Sequence, residues 1–410
     1  MGASEDEDVG AFMVPEIEAS HREEYYTSDD YPAALAVARA PGRMLLVGEY
    51  GVEGGGLALA SAVNHHMTVA LSVRPDNSLR FHACDLNERK RTTLINLKYK
   101  REDRWANFLK VAIHAFVESG YPVRGLNCSV AGDIPCQIGL GSSAAIELAT
   151  ALALRAIFAP SMDDEHLVSL LDEGQRSFWG AVTHPVDWYA MLCTEENSFM
   201  VMDPAAGVPR CVVPPLDGYQ ILLTDSRVPR LGMEGEIRQR EKELRRGLEL
   251  LSRGNEQVAF KDFISEDLID LMGSLPEQIR RRAMHAVQES SRVLAMEEAF
   301  RKRDLAGFAK LVYHSHEGLR DLLEVSCPEI DWLVKRSQEI EGVLCSRMLG
   351  KGFGGCIYSV IAQDAVEEYR GRLEEYERIF GFKPVIHEVK GSGPARVVHS
   401  EGINADTLDK

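Results

Sequence analysis

The chain has 410 residues, of which 45% are hydrophobic and 27% charged, a globular composition with length enough for two or three domains. This excludes a wholly disordered or fibrous protein. The 46 Lys and Arg residues are outnumbered by 63 Asp and Glu residues, and the formal charge of −17 disfavours binding to nucleic acid or to an anionic membrane. Any bound phosphate must therefore be held locally, by backbone N–H groups and helix N-termini.

The N-terminal sequence carries no targeting signal that we can identify. The start MGASEDED has no basic or apolar region, and Asp6 stands where a myristoylation signal requires Ser or Thr. No uncharged apolar run approaches the ~20 residues of a membrane-spanning helix. The eight cysteines contain no CxxC pair and no Cys/His cluster at metal-binding spacing. We therefore expect a cytoplasmic protein without a disulfide framework or a structural zinc site.

The first half of the chain is predicted to be rich in strands. Residues 1–30 contain ten acidic residues against one arginine, so we expect an acidic, disordered arm there. Residues 40–56 indicate a strand, a functional turn and a second strand, because apolar residues lead into glycines on both sides of Arg43. Leu126, Cys128 and Val130 alternate with polar residues and predict a half-buried strand.

The second half is predicted to be rich in helices. One helix is also predicted in the first half, over residues 142–158. These residues are nearly all Ala, Leu and Ile, which predicts that the helix is buried. Further helices are predicted over 234–253, 276–302 and 305–324, and strands over 343–347 and 356–361. The change near Pro214-Pro215 divides the chain into an N-terminal domain (31–215) and a C-terminal domain (216–397), with 398–410 as a flexible tail.

The segment 139–145, GLGSSAA, lies between a predicted strand and the buried helix. Its glycines allow close approach of a ligand, and the first N–H groups of the helix have no intrahelical partners. The hydroxyls of Ser142 and Ser143 add donors for a phosphate or a ligand for Mg²⁺, although either serine could be only a helix N-cap. The segment is neither a Walker A loop nor a GxGxxG motif, so another phosphate-binding fold is needed.

Three ordered segments resemble the signature segments of the GHMP small-molecule kinases. They are residues 41–56, 139–145 and 350–356, which we call the first, second and third glycine segments. Residues 315–331 and the tripeptide 346–348 resemble runs peculiar to galactokinases. The resemblance covers roughly residues 37–397 and implies an α/β (α+β) fold of two domains with an active-site cleft between them. The N-terminal domain would be like domain 2 of ribosomal protein S5, and the C-terminal domain ferredoxin-like.

The resemblance also implies an ATP- and Mg²⁺-dependent kinase that phosphorylates the anomeric hydroxyl of galactose or a galactose-like sugar. Matched by position, Arg43 and Asp187 would be catalytic, Asp187 as a base or as an orienting group. The sugar would be bound by Glu49, Tyr50, Glu53, His184 and Asp187. ATP would be bound by Trp105, Gly139, Leu140, Gly141, Ser142, Ser143 and Ala144, and Mg²⁺ by Ser143 and Gln175.

Some of these roles have plainer alternatives. Glu49 could be an exposed loop carboxylate, and Trp105 could serve packing alone. The third glycine segment could be a tight turn between strands. In that segment Lys351 replaces a glycine of the family pattern, and it could add a charge for phosphate or simply be exposed. The single histidine His184 could be a surface or packing residue.

Departures from the family pattern concern the sugar and the metal. Val52 stands at the position of a sugar-binding aspartate, so either Glu53 replaces it or the sugar has a different hydroxyl pattern. A family tyrosine expected near Gly235 is missing. Gln175 replaces a glutamate that helps to hold Mg²⁺, and an amide is the weaker ligand, though Glu173 or Asp172 could compensate.

These departures leave two alternatives open. One is a kinase for galacturonate, arabinose or an amino sugar, and the other is a sugar- and nucleotide-sensing homologue without catalysis. In each case we expect small-molecule partners, no nucleic acid and no membrane, and a monomer or weak homodimer.

Overall fold

The structure is a computed structural model that describes residues 9–25, 35–135, 138–180, 185–204, 207, 209–230, 232–255, 257–263 and 275–401. Its strands are β1 (Leu35–Val47), β2 (Ala58–Arg74), β3 (Ser78–Ala83), β4 (Glu88–Thr93), β5 (Gly125–Gly132), β6 (Phe199–Met202), β7 (Arg210–Val212), β8 (Tyr219–Asp225), β9 (Val343–Leu349), β10 (Cys356–Ala362), β11 (Val385–Val389) and β12 (Arg396–Glu401). Its α-helices are α1 (Val9–Tyr25), α2 (Ala106–Glu118), α3 (Ser142–Phe158), α4 (Asp164–Trp179), α5 (Val186–Cys193), α6 (Glu234–Leu251), α7 (Glu277–Lys302), α8 (Leu305–Glu317), α9 (Pro328–Gln338) and α10 (Val366–Phe380).

The strands form two sheets, and the chain passes from the first to the second between β7 and β8. The first sheet has eight strands in the order β12-β1-β2-β5-β3-β4, with β6 paired to β2 and β7 paired to β6. Its pairings are antiparallel except that of β3 with β5. Helix α3 packs on β1 and β2 and is buried along most of its length, as its almost continuous apolar sequence predicts.

The second sheet is antiparallel and has the order β11-β8-β10-β9. Counted along the chain this is the order 4-1-3-2, with helices between the first and second strands and between the third and fourth. This arrangement is ferredoxin-like, and the predicted α/β class with two sheet-based halves is confirmed.

The apolar core continues from one half into the other. The first cluster fills the space between the larger sheet and helices α2 to α5, and it also takes in Val293 and Phe300 of α7 and Tyr358 of β10. The second cluster lies around the smaller sheet and includes Tyr50, from the turn after β1. The turn after β1 is therefore anchored in the opposite half.

The predicted disordered arm is wrong for residues 9–25, which form helix α1 on the first sheet. Ile17 is buried, and the buried ring of His21 contacts the hydroxyls of Ser129 and Ser72 through Nδ1 and Nε2, each at 2.8 Å. Ile17 packs with apolar residues of the first sheet, and Glu24 forms an ion pair with Arg89. The composition of residues 1–30 did not reveal these contacts, because their partners lie far away in the sequence.

The predicted flexible tail is wrong for residues 398–401, which belong to β12. This strand pairs antiparallel with β1, with Leu35 opposite Glu401. Arg22 of α1 donates a hydrogen bond to Glu401 as well. The C-terminal segment therefore returns to the edge of the first sheet. In the described ranges, no helix combines the length and the apolar character that crossing a bilayer requires.

Candidate active site

A cavity of about 210 Å³ lies where the three glycine segments converge. Its lining residues are Arg43, Leu45, Glu49, Tyr50, Val52, Gly139, Ala144, Gln175, Val186, Asp187, Trp188, Gly350 and Lys351. A Cβ placed on Gly350 would lie 3.6 Å from the Cα of Gly139, so the second and third segments touch each other. Residues that are more than 300 positions apart in the sequence thus share one cleft.

Arg43 and Asp187 form a bidentate pair in this cleft. Nε of Arg43 donates to Oδ1 of Asp187 at 2.6 Å, and Nη2 donates to Oδ2 at 2.7 Å. Nη1 donates to the carbonyl of Gly139 at 2.6 Å, which ties the pair to the second glycine segment. Burial opposes the charged form of Arg43, but the paired carboxylate outweighs it and raises the pKa of Arg43. The predicted catalytic residues therefore lie in direct contact.

The backbone of the second glycine segment is fitted closely around Arg43. The N–H of Arg43 donates to the carbonyl of Leu140 at 2.9 Å, and a Cβ on Gly141 would come within 3.3 Å of the Arg43 side chain. Gly141 has φ +71° and is the N-cap residue of α3, without a side-chain cap. Neither Ser142 nor Ser143 is therefore the N-cap residue of α3. Both serines are half-buried and lie in the first turn of the helix.

Glu49 is buried, with 3% exposure, so it is not an exposed loop carboxylate. Nη2 of Arg347 donates to its Oε2, and the N–H of Gly350 donates to its Oε1 at 3.1 Å. Arg347 also pairs with Glu289 at 3.1 Å. Both oxygens of Glu49 thus join the turn after β1 to β9 and the third glycine segment. This geometry makes Glu49 a link between the two halves of the molecule, at the wall of the cavity.

The run at 315–331, which carried the resemblance to galactokinases, contacts the residues that link the two halves. The hydroxyl of Ser315 donates to Glu289 at 2.6 Å and accepts from Nε of Arg347 at 2.8 Å. The carbonyl of Val325 accepts from the N–H of Phe353 at 2.6 Å, inside the third glycine segment. None of these residues lines the described cavity. The run therefore positions the third segment, a role that sequence reasoning did not assign to it.

Tyr50, Glu53 and Lys351 form one group at the other side of the cavity. The hydroxyl of Tyr50 donates to the carbonyl of Lys351 at 2.7 Å, and the ammonium of Lys351 lies 4.6 Å from the centre of the Tyr50 ring. The same ammonium pairs with Glu53 and, at 3.3 Å, with Glu241 of α6. The ammonium of Lys351 is therefore held by two carboxylates and an aromatic ring, and Lys351 is not simply exposed.

Gln175 lines the cavity from α4, and its Nε2 donates to the buried carboxylate of Glu147 in α3. Burial raises the pKa of Glu147 to about 8, and the hydrogen bond from Gln175 partly offsets this rise. Of the possible compensating carboxylates, Asp172 pairs with Arg176 at 2.7 Å and Glu173 is exposed. Glu147 is thus the carboxylate next to Gln175, and sequence reasoning missed it.

Some of the predicted site residues that the structure describes do not line the cavity: Glu53, Trp105, Leu140, Gly141, Ser142 and Ser143. Trp105 precedes α2 and donates from Nε1 to Glu88 at 3.0 Å, which favours its packing alternative. His184 lies outside the described residues.

The two halves meet at a cleft that contains a glycine loop at a helix start, and family profiles identify the class of protein as a GHMP kinase. The GHMP kinase N-terminal domain matches residues 107–195, and the C-terminal domain matches residues 296–377. A galactokinase galactose-binding signature matches residues 19–73, which include part of α1.

A Treponema pallidum protein is 39% identical over 388 residues, which cover 93% of this chain and 96% of the relative. The galactokinase of Thermotoga maritima is 32% identical, covering 86% of this chain and 97% of its own. The crystal structure of Lactococcus lactis galactokinase complexed with galactose superimposes with a TM-score of 0.85 at 25% identity, covering 93% of this chain and 99% of that one. The chain belongs to the galactokinase family, and the resemblance stated from the sequence is confirmed.

Proposed function

We propose that this protein is an ATP-dependent sugar kinase that phosphorylates the anomeric hydroxyl of galactose or a galactose-like monosaccharide. Family membership supports the sugar kinase activity. The observation that carries the proposal for this chain is the bidentate pair of Arg43 and Asp187, at 2.6 and 2.7 Å, in contact with the second glycine segment. Phosphoryl transfer needs an acceptor for the hydroxyl proton and a cation near the transferred group, and this pair supplies both.

The proposed step places the sugar hydroxyl against Asp187. Each oxygen of that carboxylate accepts one hydrogen bond from Arg43 and retains a lone pair for a further donor. As the sugar oxygen bonds to the γ-phosphorus, its proton passes to Asp187, and the bond from the γ-phosphorus to the bridging oxygen breaks to release ADP. The guanidinium of Arg43 stabilises the negative charge of the transferred group.

The triphosphate would lie against the start of α3, where the amides of residues 141–144 and the hydroxyls of Ser142 and Ser143 are available. Ser143 and Gln175 would hold Mg²⁺, which lowers the repulsion between the phosphates when it is bound. Their oxygen donors fit this ion. The described residues contain no cluster of three or more His, Cys, Asp or Glu side chains suited to a metal, and Mg²⁺ that is bound largely by phosphates and water does not need one.

The test is sugar-dependent release of ADP by the purified protein with ATP and Mg²⁺, together with identification of the phosphorylated carbon by NMR. We expect turnover of galactose to galactose 1-phosphate and no turnover by Asp187→Ala. A protein that turns over no monosaccharide in a panel including galactose, arabinose and galactosamine would refute the proposal. ATP binding without sugar-dependent ADP release would support the non-catalytic alternative.

A further inference from the structure

Lys351 lines the cavity that also contains Arg43 and Asp187, and its ammonium has several partners. Its ammonium lies over the ring of Tyr50, is paired with Glu53, and is 3.3 Å from Oε1 of Glu241. These contacts come from the turn after β1 and from α6. A lysine has four rotatable side-chain bonds, and three separate contacts restrict them before any ligand binds.

The charge of this group argues against a phosphate ligand. Two carboxylates lie beside this one ammonium and offset its positive charge, so it offers little attraction to a triphosphate or to a sugar carboxylate. A neutral sugar hydroxyl does not need that attraction. An ammonium has three N–H donors. Glu53 accepts a hydrogen bond from one of them, and the ion pair with Glu241 engages at most one more, so one donor is not taken by a carboxylate and can serve a sugar hydroxyl.

The position of this group also corresponds to the main departure from the family pattern. Val52 lines the cavity where a sugar-binding aspartate is expected, and its side chain cannot accept or donate a hydrogen bond. Lys351 lines the same cavity from the third glycine segment, and the neighbour of Val52, Glu53, is its ion-pair partner. Lys351 therefore supplies a polar group at the wall that Val52 leaves apolar, but this group is a hydrogen-bond donor instead of an acceptor.

We propose that Lys351 is a specificity-determining residue that donates a hydrogen bond to a hydroxyl of a neutral acceptor sugar, while its carboxylate partners exclude acceptors that carry an anionic group. This inference rests on the proposed sugar kinase function and narrows its substrate class. It disfavours galacturonate among the alternatives that the sequence left open.

The variant Lys351→Met keeps an unbranched apolar side chain of similar shape and removes the N–H donors. We expect calorimetric titration without ATP to show at least about tenfold weaker galactose binding, the lower end of the range for a hydrogen bond to a charged group, and kinetic assays to show KM for ATP changed less than about twofold. Lys351→Arg keeps a charged donor and should bind galactose within about threefold of the wild type. Lys261→Met is the matched control, because Lys261 pairs with Asp203 at 2.8 Å and does not line the cavity.

The carboxylate partners are tested with Glu53→Gln. Removing this negative charge should raise kcat/KM for galacturonate relative to galactose by at least about threefold, whereas the wild type should prefer galactose strongly. Thermal unfolding of each variant shows whether a loss of binding reflects a loss of folding.

The outcomes separate the two proposals. If the wild type phosphorylates galactose but Lys351→Met binds it as tightly as the wild type does, the role of Lys351 is overturned and the sugar kinase function stands. The role of Lys351 is also overturned if Lys351→Met changes only KM for ATP, or if the wild type turns over galacturonate and galactose equally well. If the wild type neither binds nor phosphorylates any sugar, both proposals fail together.

Discussion

The substitution Glu49→Gln separates two roles for one carboxylate. Carried over from the family pattern, Glu49 is a sugar ligand, and its loss should weaken sugar binding without unfolding the protein. In the structure its two oxygens accept from Arg347 and from the N–H of Gly350, which makes it part of a buried ionic link between the halves. We expect the substitution to act mainly on stability.

The size of the expected loss of stability follows from the contacts that the glutamine amide keeps. Removing one partner of a buried ion pair costs about 3–5 kcal/mol. A glutamine retains one acceptor oxygen, and Arg347 retains Glu289 at 3.1 Å, so we expect a loss of about 2–3 kcal/mol. For a unit of domain size this corresponds to a decrease in Tm of roughly 4–12 °C.

The assay combines thermal unfolding with sugar titration, and Glu289→Gln is the control. Glu289 belongs to the same link, where it accepts from the N–H of Gly48 at 3.1 Å, but it does not line the cavity. Both variants should lose stability, by at least as much in Glu289→Gln, and should change KM for the sugar similarly. Our reasoning would be refuted by a Glu49→Gln protein that has the Tm of the wild type and a KM for the sugar raised more than about tenfold.

Three further predictions concern catalysis, the metal and pH. Asp187→Asn should lower kcat at least about a hundredfold in initial-rate assays with both substrates saturating, because an amide does not take the hydroxyl proton. Gln175→Glu should tighten Mn²⁺ binding to the complex with ADP, measured by electron paramagnetic resonance, because a carboxylate is a stronger ligand than an amide. Burial lowers the pKa of His21 from 6.5 to about 3, so between these values the unfolded chain binds a proton that the folded chain does not. Lowering the pH from 7.5 to 5 should therefore cost the wild type about 2 kcal/mol more unfolding free energy than His21→Gln, as measured by urea denaturation.

Each of these has an outcome that would contradict it. A kcat within tenfold of the wild type would exclude Asp187 as the proton acceptor. Equal Mn²⁺ affinity in Gln175→Glu would remove Gln175 from the metal site. Parallel loss of stability at low pH in His21→Gln and in the wild type would show that the imidazole does not control the docking of α1.

Local sequence signals predicted the elements that depend on local interactions. The apolar run from Ser142 to Phe158 predicted α3 with the ends that the structure has. The two strands around the third glycine segment were predicted close to their observed bounds, because β-branched and apolar residues flank a run of glycines. The order of the three glycine segments carried the resemblance, and with it the two-sheet fold.

Pairings between distant residues were not predictable in this way. Arg347 and Glu49 are 298 positions apart, and neither position shows by itself that it needs a buried partner of opposite charge. The group of Lys351 with Glu53 likewise joins two glycine segments that the family pattern treats separately. Strand β12 was missed because its pairing with β1 spans almost the whole chain, and no local pattern signals such a partner.

The return of β12 to β1 has a practical consequence for work with the isolated N-terminal half. A fragment that stops near residue 215 would contain β1 but would lack the neighbour that covers its outer edge. Unpaired amides and carbonyls along β1 would then be open to other molecules of the fragment, and aggregation is the usual result. Supplying residues 396–401 as a synthetic peptide, or splicing them before residue 35 through a short linker, would restore the missing neighbour.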